Sequence, residues 1–435
     1  MEKYNVVSPC MRFHSSSTRL KVLLCCYACD PYRGSEPGTG WHFLRLIARV
    51  HDVHVIVEQK KFQEPLERYS REHPDEVRNI TFHFIRKPAH KLLRKIWPPS
   101  YYWFYRQWQK KAYDLAKTLH EHEHFDLTHY VNMVGYREPG YFWKLPVPFI
   151  WGPIGGLNHT EWCLLPCFGV RGALYYAGRN ILNAFQKRFS QAARIVSQRA
   201  HTILVSDPEM IPVIERIWHR RALLMREVGV DVPAPDGEIP RRKKGEPLRV
   251  CWCGVHEPRK GLNLLLHALP HCKSPIEVYV LGKGSCTEAW KRLASQLGME
   301  KNVHFLGKVP HCEVFPVMKN CHVFAFPSLS EGGTPNVVME ALQLGLPVIC
   351  LNHCAFASVV NESCGIKIPI TNRAQIIRDF ANHLDYLNDD EDARLRLAYG
   401  AQKRSMDFLW ENCIDRIDKV YRQAVSDTNG ISQSD

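Results

Sequence analysis

Two series of short apolar runs, separated by helix-patterned stretches, constrain this chain more than any single motif. The first is LKVLLCCYA (residues 20–28), HDVHVIVEQ, NITFHFIRK, DLTHYVN, VPFIWGP and HTILVSD, and LLMREVGVD closes it. The second is RVCWCGV, IEVYVLG, NVHFLGK, HVFAFPS, LPVICLN and CGIKIPI. Such runs read as strands buried on both faces, and strands alternating with helices wind into parallel sheets. Between the series, VPAPDGEIPRRKKGEPL (Val232–Leu248) is rich in Pro, Gly and charge and reads as a linker. At 435 residues the chain is too long for one core. The expectation is an α/β protein of two doubly wound domains, 20–231 and 249–400, joined by 232–248. A last long helix is expected from about Glu391 to Ala424, with a disordered tail over 426–435.

Composition narrows the address. No apolar stretch approaches the ~20 residues of a membrane span, and MEKYNVVSPCMRFHSSSTRL lacks the apolar centre of a signal peptide, so a cytoplasmic chain is expected. Many of the 16 cysteines lie in strand-like runs and read as reduced core thiols. The single Cys26-x-x-Cys29 lacks the second pair a zinc site needs. A net charge of +13 favours an anionic partner: nucleotide phosphates, anionic lipid or nucleic acid. Segment 86–111 holds eight Lys/Arg, seven aromatics and no acid. It suits the inner face of an anionic membrane, a packed helix whose basic stems cover apolar surface or, less well, single-stranded nucleic acid.

The stretch PSLSEGGTPNVVMEALQLGLPVI (Pro327–Ile349) carries the chemistry. HVFAFPS ends as a strand, and ligands of parallel sheets bind beyond the carboxyl ends of strands. Thr334 suits a helix N-cap, Pro335 the first helical position and Gly345 the C′ position. Backbone N–H groups at Gly332, Gly333, Thr334 and Asn336 would then form a cradle for a diphosphate. Glu331, beside the cradle, suits sugar hydroxyls. Glu340, further along the helix, suits the ribose diol. Together these describe a nucleotide-sugar site.

The stretch resembles the E-x7-E region of retaining glycosyltransferases of family 4, which have the GT-B fold of two Rossmann-like domains facing across a cleft. CYACDPYRGSEPGTGW and PFIWGPIGG resemble a bacterial polysaccharide and lipopolysaccharide branch, and EVGVD, GVHEPRKGLNLLLHAL and LGKGS resemble further stretches of the family, over about residues 20–425. Eight residues separate Glu331 from Glu340 here instead of seven. Either Glu331 has shifted by one place, or Gly332 stands at the usual place of the first glutamate. Gly254-Val255 replaces a usual Gly-Arg, with Arg259 beside Lys260 to supply the cation. The resemblance implies metal-independent, cofactor-free transfer of a sugar from a UDP- or GDP-type donor to a glycan or lipid-linked acceptor hydroxyl. Arg259 and Lys260 would hold the diphosphate, Gly254, Gly282 and Val309 would lie near the nucleotide, and a helix at about 401–425 would pack back on the first domain.

The remaining candidates are in the first half. Gly38, Thr39 and Gly40, read as a loop after the first strand, could offer backbone donors to phosphate or approach the acceptor. With Glu58 they come near a dinucleotide fingerprint, but Phe43 stands where its third glycine belongs. His129 reads equally as a sugar contact or a capped strand-end histidine, with Asn132 the neighbouring alternative. LLPCFGVRGALYYAGRNILNAF (Leu164–Phe185) adds to the membrane-surface reading. No His, Cys, Asp or Glu cluster has metal-ligand spacing. A sugar-nucleotide epimerase or phosphorylase on the same architecture, and a non-catalytic basic binding module, are the rival readings.

Overall fold

The computed structural model describes residues 18–88, 96–97, 100–234 and 239–431. Seven parallel strands form the first sheet: β1 Lys21–Cys26, β2 Asp52–Glu58, β3 Ile80–Ile85, β4 Leu127–Asn132, β5 Phe149–Ile154, β6 Thr202–Val205 and β7 Ala222–Leu224. Six form the second: β8 Leu248–Cys253, β9 Ile276–Leu281, β10 Val303–Gly307, β11 Val323–Phe326, β12 Val348–Leu351 and β13 Gly365–Ile368. The orders are β3-β2-β1-β4-β5-β6-β7 and β10-β9-β8-β11-β12-β13. Each apolar run of the sequence is thus a strand. Both orders reverse direction after their first strand, between β1 and β4 and between β8 and β11, which opens a crevice at the carboxyl edge of each sheet.

The carboxyl edges face each other. The Cβ that Gly155 lacks, just after β5, would lie 3.0 Å from the Gly332 carbonyl after β11. That of Gly34, after β1, would lie 3.5 Å from the Asn336 side chain, and the Thr160 hydroxyl donates to the Ser330 hydroxyl at 3.2 Å. The first core packs the β1–β7 sheet with the helix Ser35–Val50 and, from the far end of the chain, Trp410, Ile414, Ile417, Tyr421 and Ala424. All of these but Trp410 belong to the helix Glu411–Ile431, which lies on the first domain.

Four expectations need correction. The final helix is two helices, Glu391–Met406 and Glu411–Ile431, because Phe408 and Trp410 break off to exchange backbone hydrogen bonds with Val230. The second continues to Ile431, so the tail is helical as far as it is described; residues 432–435 lie outside the described residues. GSEPGTG is not a loop: the helix starts at Ser35, with Gly34 at the N-cap and Pro37 in its first turn, where a missing N–H costs nothing. Thr334 does not cap its helix. Pro335 takes the N-cap, the helix is Asn336–Gln343, and Gly345 follows with a left-handed φ of 71°.

Within 86–111, residues 89–95 and 98–99 lie outside the described residues, as do 235–238 of the linker. From Ser100 the segment is a helix that buries Phe104, Tyr105 and Trp108 in the first core or against it. Ile96, Trp97, Tyr102 and Trp103 remain exposed. The segment is therefore part packing and part surface. Cys25, Cys26, Cys29, Cys251 and Cys350 are buried free thiols; burial pushes up the pKa values of all but Cys251, which is raised first by its hydrogen bond with Cys321 and then by burial.

Candidate functional site

The second domain supplies most of the site, starting with two loops that lie against each other. After β8 the chain makes a tight turn, Pro258–Lys260, ended by Gly261 at φ 66°. A Cβ on Gly261 would fall 2.0 Å from the Pro327 carbonyl, so only glycine lets this turn abut the strand end of β11. The Leu329 N–H then donates to the Arg259 carbonyl at 2.7 Å. That contact delivers both cations to Glu331: Lys260 Nζ lies 2.5 Å from Oε1 and Arg259 Nη1 2.8 Å from Oε2. The Ser328 hydroxyl donates to the same carboxylate at 2.6 Å, and Arg259 also pairs with Glu257 at 2.9 Å. Glu331 and Lys260 are almost wholly buried, so these contacts act in a low dielectric and are strong.

Glu340 lies within the Asn336–Gln343 helix. Its charge and that of Lys260 both act on Cys253, at the end of β8; burial, then Glu340, push that thiol up to about 12 while Lys260 opposes. Gly254 and Gly282 bring the ends of β8, β9 and β10 together. Gly254 donates to Leu281 and Gly282 donates to Gly307, and a Cβ on Gly282 would strike the Gly254 carbonyl at 1.9 Å. Val309 packs half-buried beside this floor. The structure therefore brings together Gly254, Arg259, Lys260, Glu331, Gly332, Gly333, Thr334, Asn336 and Glu340 at one sheet edge.

The first-domain candidates divide. Gly38 and Gly40 are close-packing positions: a Cβ on the first would lie 2.4 Å from the Arg33 carbonyl, and on the second 2.1 Å from that of Ala28. The Thr39 hydroxyl donates to the Glu227 carbonyl at 2.9 Å. His129 is fully buried inside the sheet, away from the cleft. Its Nε2 donates to the Gly152 carbonyl at 2.6 Å, which leaves Nδ1 to accept from the Tyr421 hydroxyl at 2.5 Å. Burial holds its pKa down at about 4, so it is a neutral interior residue with no nitrogen left for a sugar. Asn132 braces β4 to the segment after β1, bonded to the Ala28 N–H and carbonyl. Glu58 caps the next helix through the Lys60 and Lys61 N–H groups, which removes it as a ribose ligand of the dinucleotide kind.

Two features of the cleft are legible only in the structure. Glu227, in the EVGVD stretch, accepts from the Thr334 N–H at 2.9 Å across the domain boundary. Burial raises its pKa to about 7. After β6, Asp207 accepts from Asn158 at 2.5 Å, and Glu209 faces Cys354 after β12. These first-domain groups form the polar wall opposite Glu331.

Residues 238–404 match the family model described as "Glycosyl transferases group 1", so the second domain is a domain of that group. Among curated relatives, the D-inositol 3-phosphate glycosyltransferase of Corynebacterium efficiens is 28% identical over 202 residues, 43% of this chain and 46% of that protein. The phosphatidyl-myo-inositol mannosyltransferase of Mycobacterium leprae is 26% identical over 170 residues, 38% and 43% of the two chains. The chain spans about half the length of the curated relatives it matches. A glycosyltransferase from Rickettsia africae superposes with a TM-score of 0.64 at 11% identity, over 94% of this chain and 99% of that one. Anabaena HepE in complex with UDP gives 0.59 at 14%, over 93% and 100%. At such identities the likeness is one of fold, and the fold is GT-B: two Rossmann-like domains with parallel sheets facing across a cleft.

Proposed function

We propose that this chain is a retaining glycosyltransferase of family 4, moving a sugar from a UDP- or GDP-type donor to a hydroxyl of a lipid-linked or growing glycan. One observation carries the reading: Arg259, Lys260, the start of the Asn336 helix and Glu340 converge at one sheet edge, with the Gly155 edge of the other domain within van der Waals reach of Gly332. The cations and the helix N–H groups hold the diphosphate and offset the charge that develops as it leaves. Glu340 takes the ribose diol. Glu331, released from its cations by the diphosphate, turns to the transferred sugar. The departing phosphate takes the acceptor proton on the same face, so the configuration is retained and no second carboxylate of the glycosidase kind is needed. Neither metal nor cofactor enters this scheme. The close approach of the two edges limits water and hence hydrolysis.

The acceptor reading rests on the helix Gly169–Phe189, which is inside out. It buries Asn180, Asn183 and Lys187 and exposes Val170, Leu174, Ile181, Leu182, Phe185 and Phe189 along its length. From Trp162 to Ser206 there are six Lys/Arg and no acid. An apolar stripe in a cationic field suits an anionic bilayer surface, where a lipid-linked acceptor would be presented. Among the described residues no helix is long and apolar enough to cross a membrane.

Calorimetry of UDP, GDP and ADP against the wild type and Glu340→Ala, without metal, tests the proposal. One nucleotide should bind and lose about tenfold or more in the variant, the order of one hydrogen bond to a charged group. Failure of all three to bind the folded wild type would overturn the reading.

A further inference from the structure

The start of the Asn336 helix, offered above to a diphosphate, is occupied by the protein's own carboxylate. Glu227 Oε1 accepts from the Thr334 N–H at 2.9 Å. A Cβ on Gly333 would stand 1.6 Å from that oxygen, so glycine at 333 gives the carboxylate its room. Two further polar atoms are enclosed at the same spot, neither with a partner among the described residues: Glu227 Oε2 and the hydroxyl of Thr334, a residue only 4% exposed. One is an acceptor and the other a donor. A helix start that carries a buried, unpartnered hydroxyl and meets a carboxylate oxygen equally unpartnered has hydrogen-bonding capacity beyond the one bond it makes.

Burial raises the pKa of Glu227 against its own N–H, the Thr334 N–H and Arg226, which all favour the carboxylate. Arg226 is the cation that acts on it; its Nη2 donates to the Ser358 hydroxyl and its guanidinium lies over the Phe408 ring, while its Nη1 is buried with no partner among the described residues. Asp207, after β6, adds a like charge. The first turn of the Asn336 helix carries no charged side chain, and the Thr39 hydroxyl meets Glu227 at its backbone carbonyl, not its carboxylate. Burial is the largest influence and raises the pKa to about 7. A phosphate brought to this helix start adds a second negative charge within contact distance. Two anions cannot share so enclosed a seat unless one takes a proton.

We propose that Glu227 is a ligand of the donor's diphosphate that works as a proton carrier: on binding, its carboxylate takes one proton from solvent and donates the O–H to a phosphate oxygen. The Thr334 hydroxyl donates alongside it. The proton returns to solvent when the nucleoside diphosphate leaves. This rests on the nucleotide-sugar reading and gives it a pH dependence that a plain helix-dipole site lacks.

Calorimetry of UDP, and separately of inorganic pyrophosphate, at pH 8 in two buffers of different ionisation enthalpy tests this on the full chain. The wild type should take up close to one proton per UDP, and affinity should fall roughly tenfold per pH unit above about pH 7. A terminal phosphate, with a second pKa near about 6, is already ionised at pH 8 and cannot supply this signal. Glu227→Gln offers a permanent N–H donor, so its uptake should vanish and its affinity should stay level with pH. Binding without proton uptake in the wild type overturns the proposal, whether or not the variant folds. Equal uptake in wild type and a folded Glu227→Gln also overturns it and leaves Glu227 as a structural cap. If UDP, GDP and ADP all fail to bind the wild type, the nucleotide reading itself falls, and this proposal with it.

Discussion

Replacing Glu331 with glutamine removes one negative charge from between two cations and leaves the side chain's size unchanged. Lys260, at 11% side-chain exposure, then keeps its charge with no carboxylate beside it, while Arg259, at 31%, retains Glu257 and partial access to water. Breaking a buried pair by removing one partner costs about 3–5 kcal/mol, and the partial exposure of Arg259 argues for the low end, about 3 kcal/mol. In a unit of this size each kcal/mol moves the melting temperature by roughly 2–4 °C, so the variant should melt about 6–12 °C lower. A bound diphosphate replaces the lost anion. Nucleotide at a hundred times its Kd stabilises any binder by about 2.7 kcal/mol, and the uncompensated cations should make the shift larger in Glu331→Gln than in wild type. Differential scanning fluorimetry with and without UDP reads both quantities. A variant that melts within about 2 °C of wild type, or gains less from UDP, would refute the idea that Glu331 stands in for the diphosphate on Arg259 and Lys260.

Three other outcomes are expected. Gly282→Ala places a methyl 1.9 Å from the Gly254 carbonyl at a φ of 120°, and should cost more than about 2 kcal/mol in a urea melt; a change under about 0.5 kcal/mol would mean the β8–β9 edge yields freely. Leu182→Asp with Phe185→Asp, both on exposed positions, should abolish flotation with anionic vesicles while leaving the melting temperature unchanged, whereas undiminished flotation would remove the helix Gly169–Phe189 from the membrane reading. His129 is held neutral with a pKa of about 4, below its unfolded value, so its contribution to stability is present above about pH 6.5 and is lost as pH falls through 4. That loss is on the order of 3 kcal/mol, and a melting curve unaffected by His129→Gln between pH 7 and pH 4 would contradict it.

The strands were legible because their signal is local. A run such as VFAF or VICL has no other stable use in a chain of this length, and each is a strand buried on both faces. The Glu-Gly-Gly-Thr-Pro helix start was legible for the same reason to within one residue, whereas Arg259 and Lys260 came from the family resemblance, and their pairing with Glu331, 71 and 72 positions away, did not show. What sequence reasoning missed depends on contacts between distant parts of the chain. His129 and Tyr421 are 292 positions apart, and only the return of the last helix makes the histidine an interior group. Glu227 and Thr334 are 107 apart, so nothing near EVGVD marks its carboxylate as the partner of the helix start. The break after Met406 has the same origin: Trp410 leaves the helical path because Val230 offers it a backbone partner. Ser35 was missed for a local reason, since Gly34 and Pro37 are loop formers in isolation and helix-start residues in context.

The placement of Glu331 and Glu227 suggests how such a site stays assembled. A diphosphate seat needs two positive features, mobile cations and a helix start, and both are unfavourable when enclosed with nothing to neutralise them. Here each is met by a carboxylate from the chain itself: Glu331 holds Arg259 and Lys260, and Glu227 holds the Thr334 N–H. On the proposed function, nucleotide binding then exchanges Glu331 for a phosphate on the two cations and protonates Glu227 where it stands, and its net free energy is the balance of these steps. That balance favours a ligand able to displace Glu331 and reach Glu227 at once. A diphosphate spans the two positions, while a monophosphate reaches only one. UMP should therefore bind far more weakly than UDP, by more than the tenfold that one lost charged hydrogen bond would give. Competition titrations of the two nucleotides measure the ratio, and near-equal affinities would show that Glu331 and Glu227 are not engaged together.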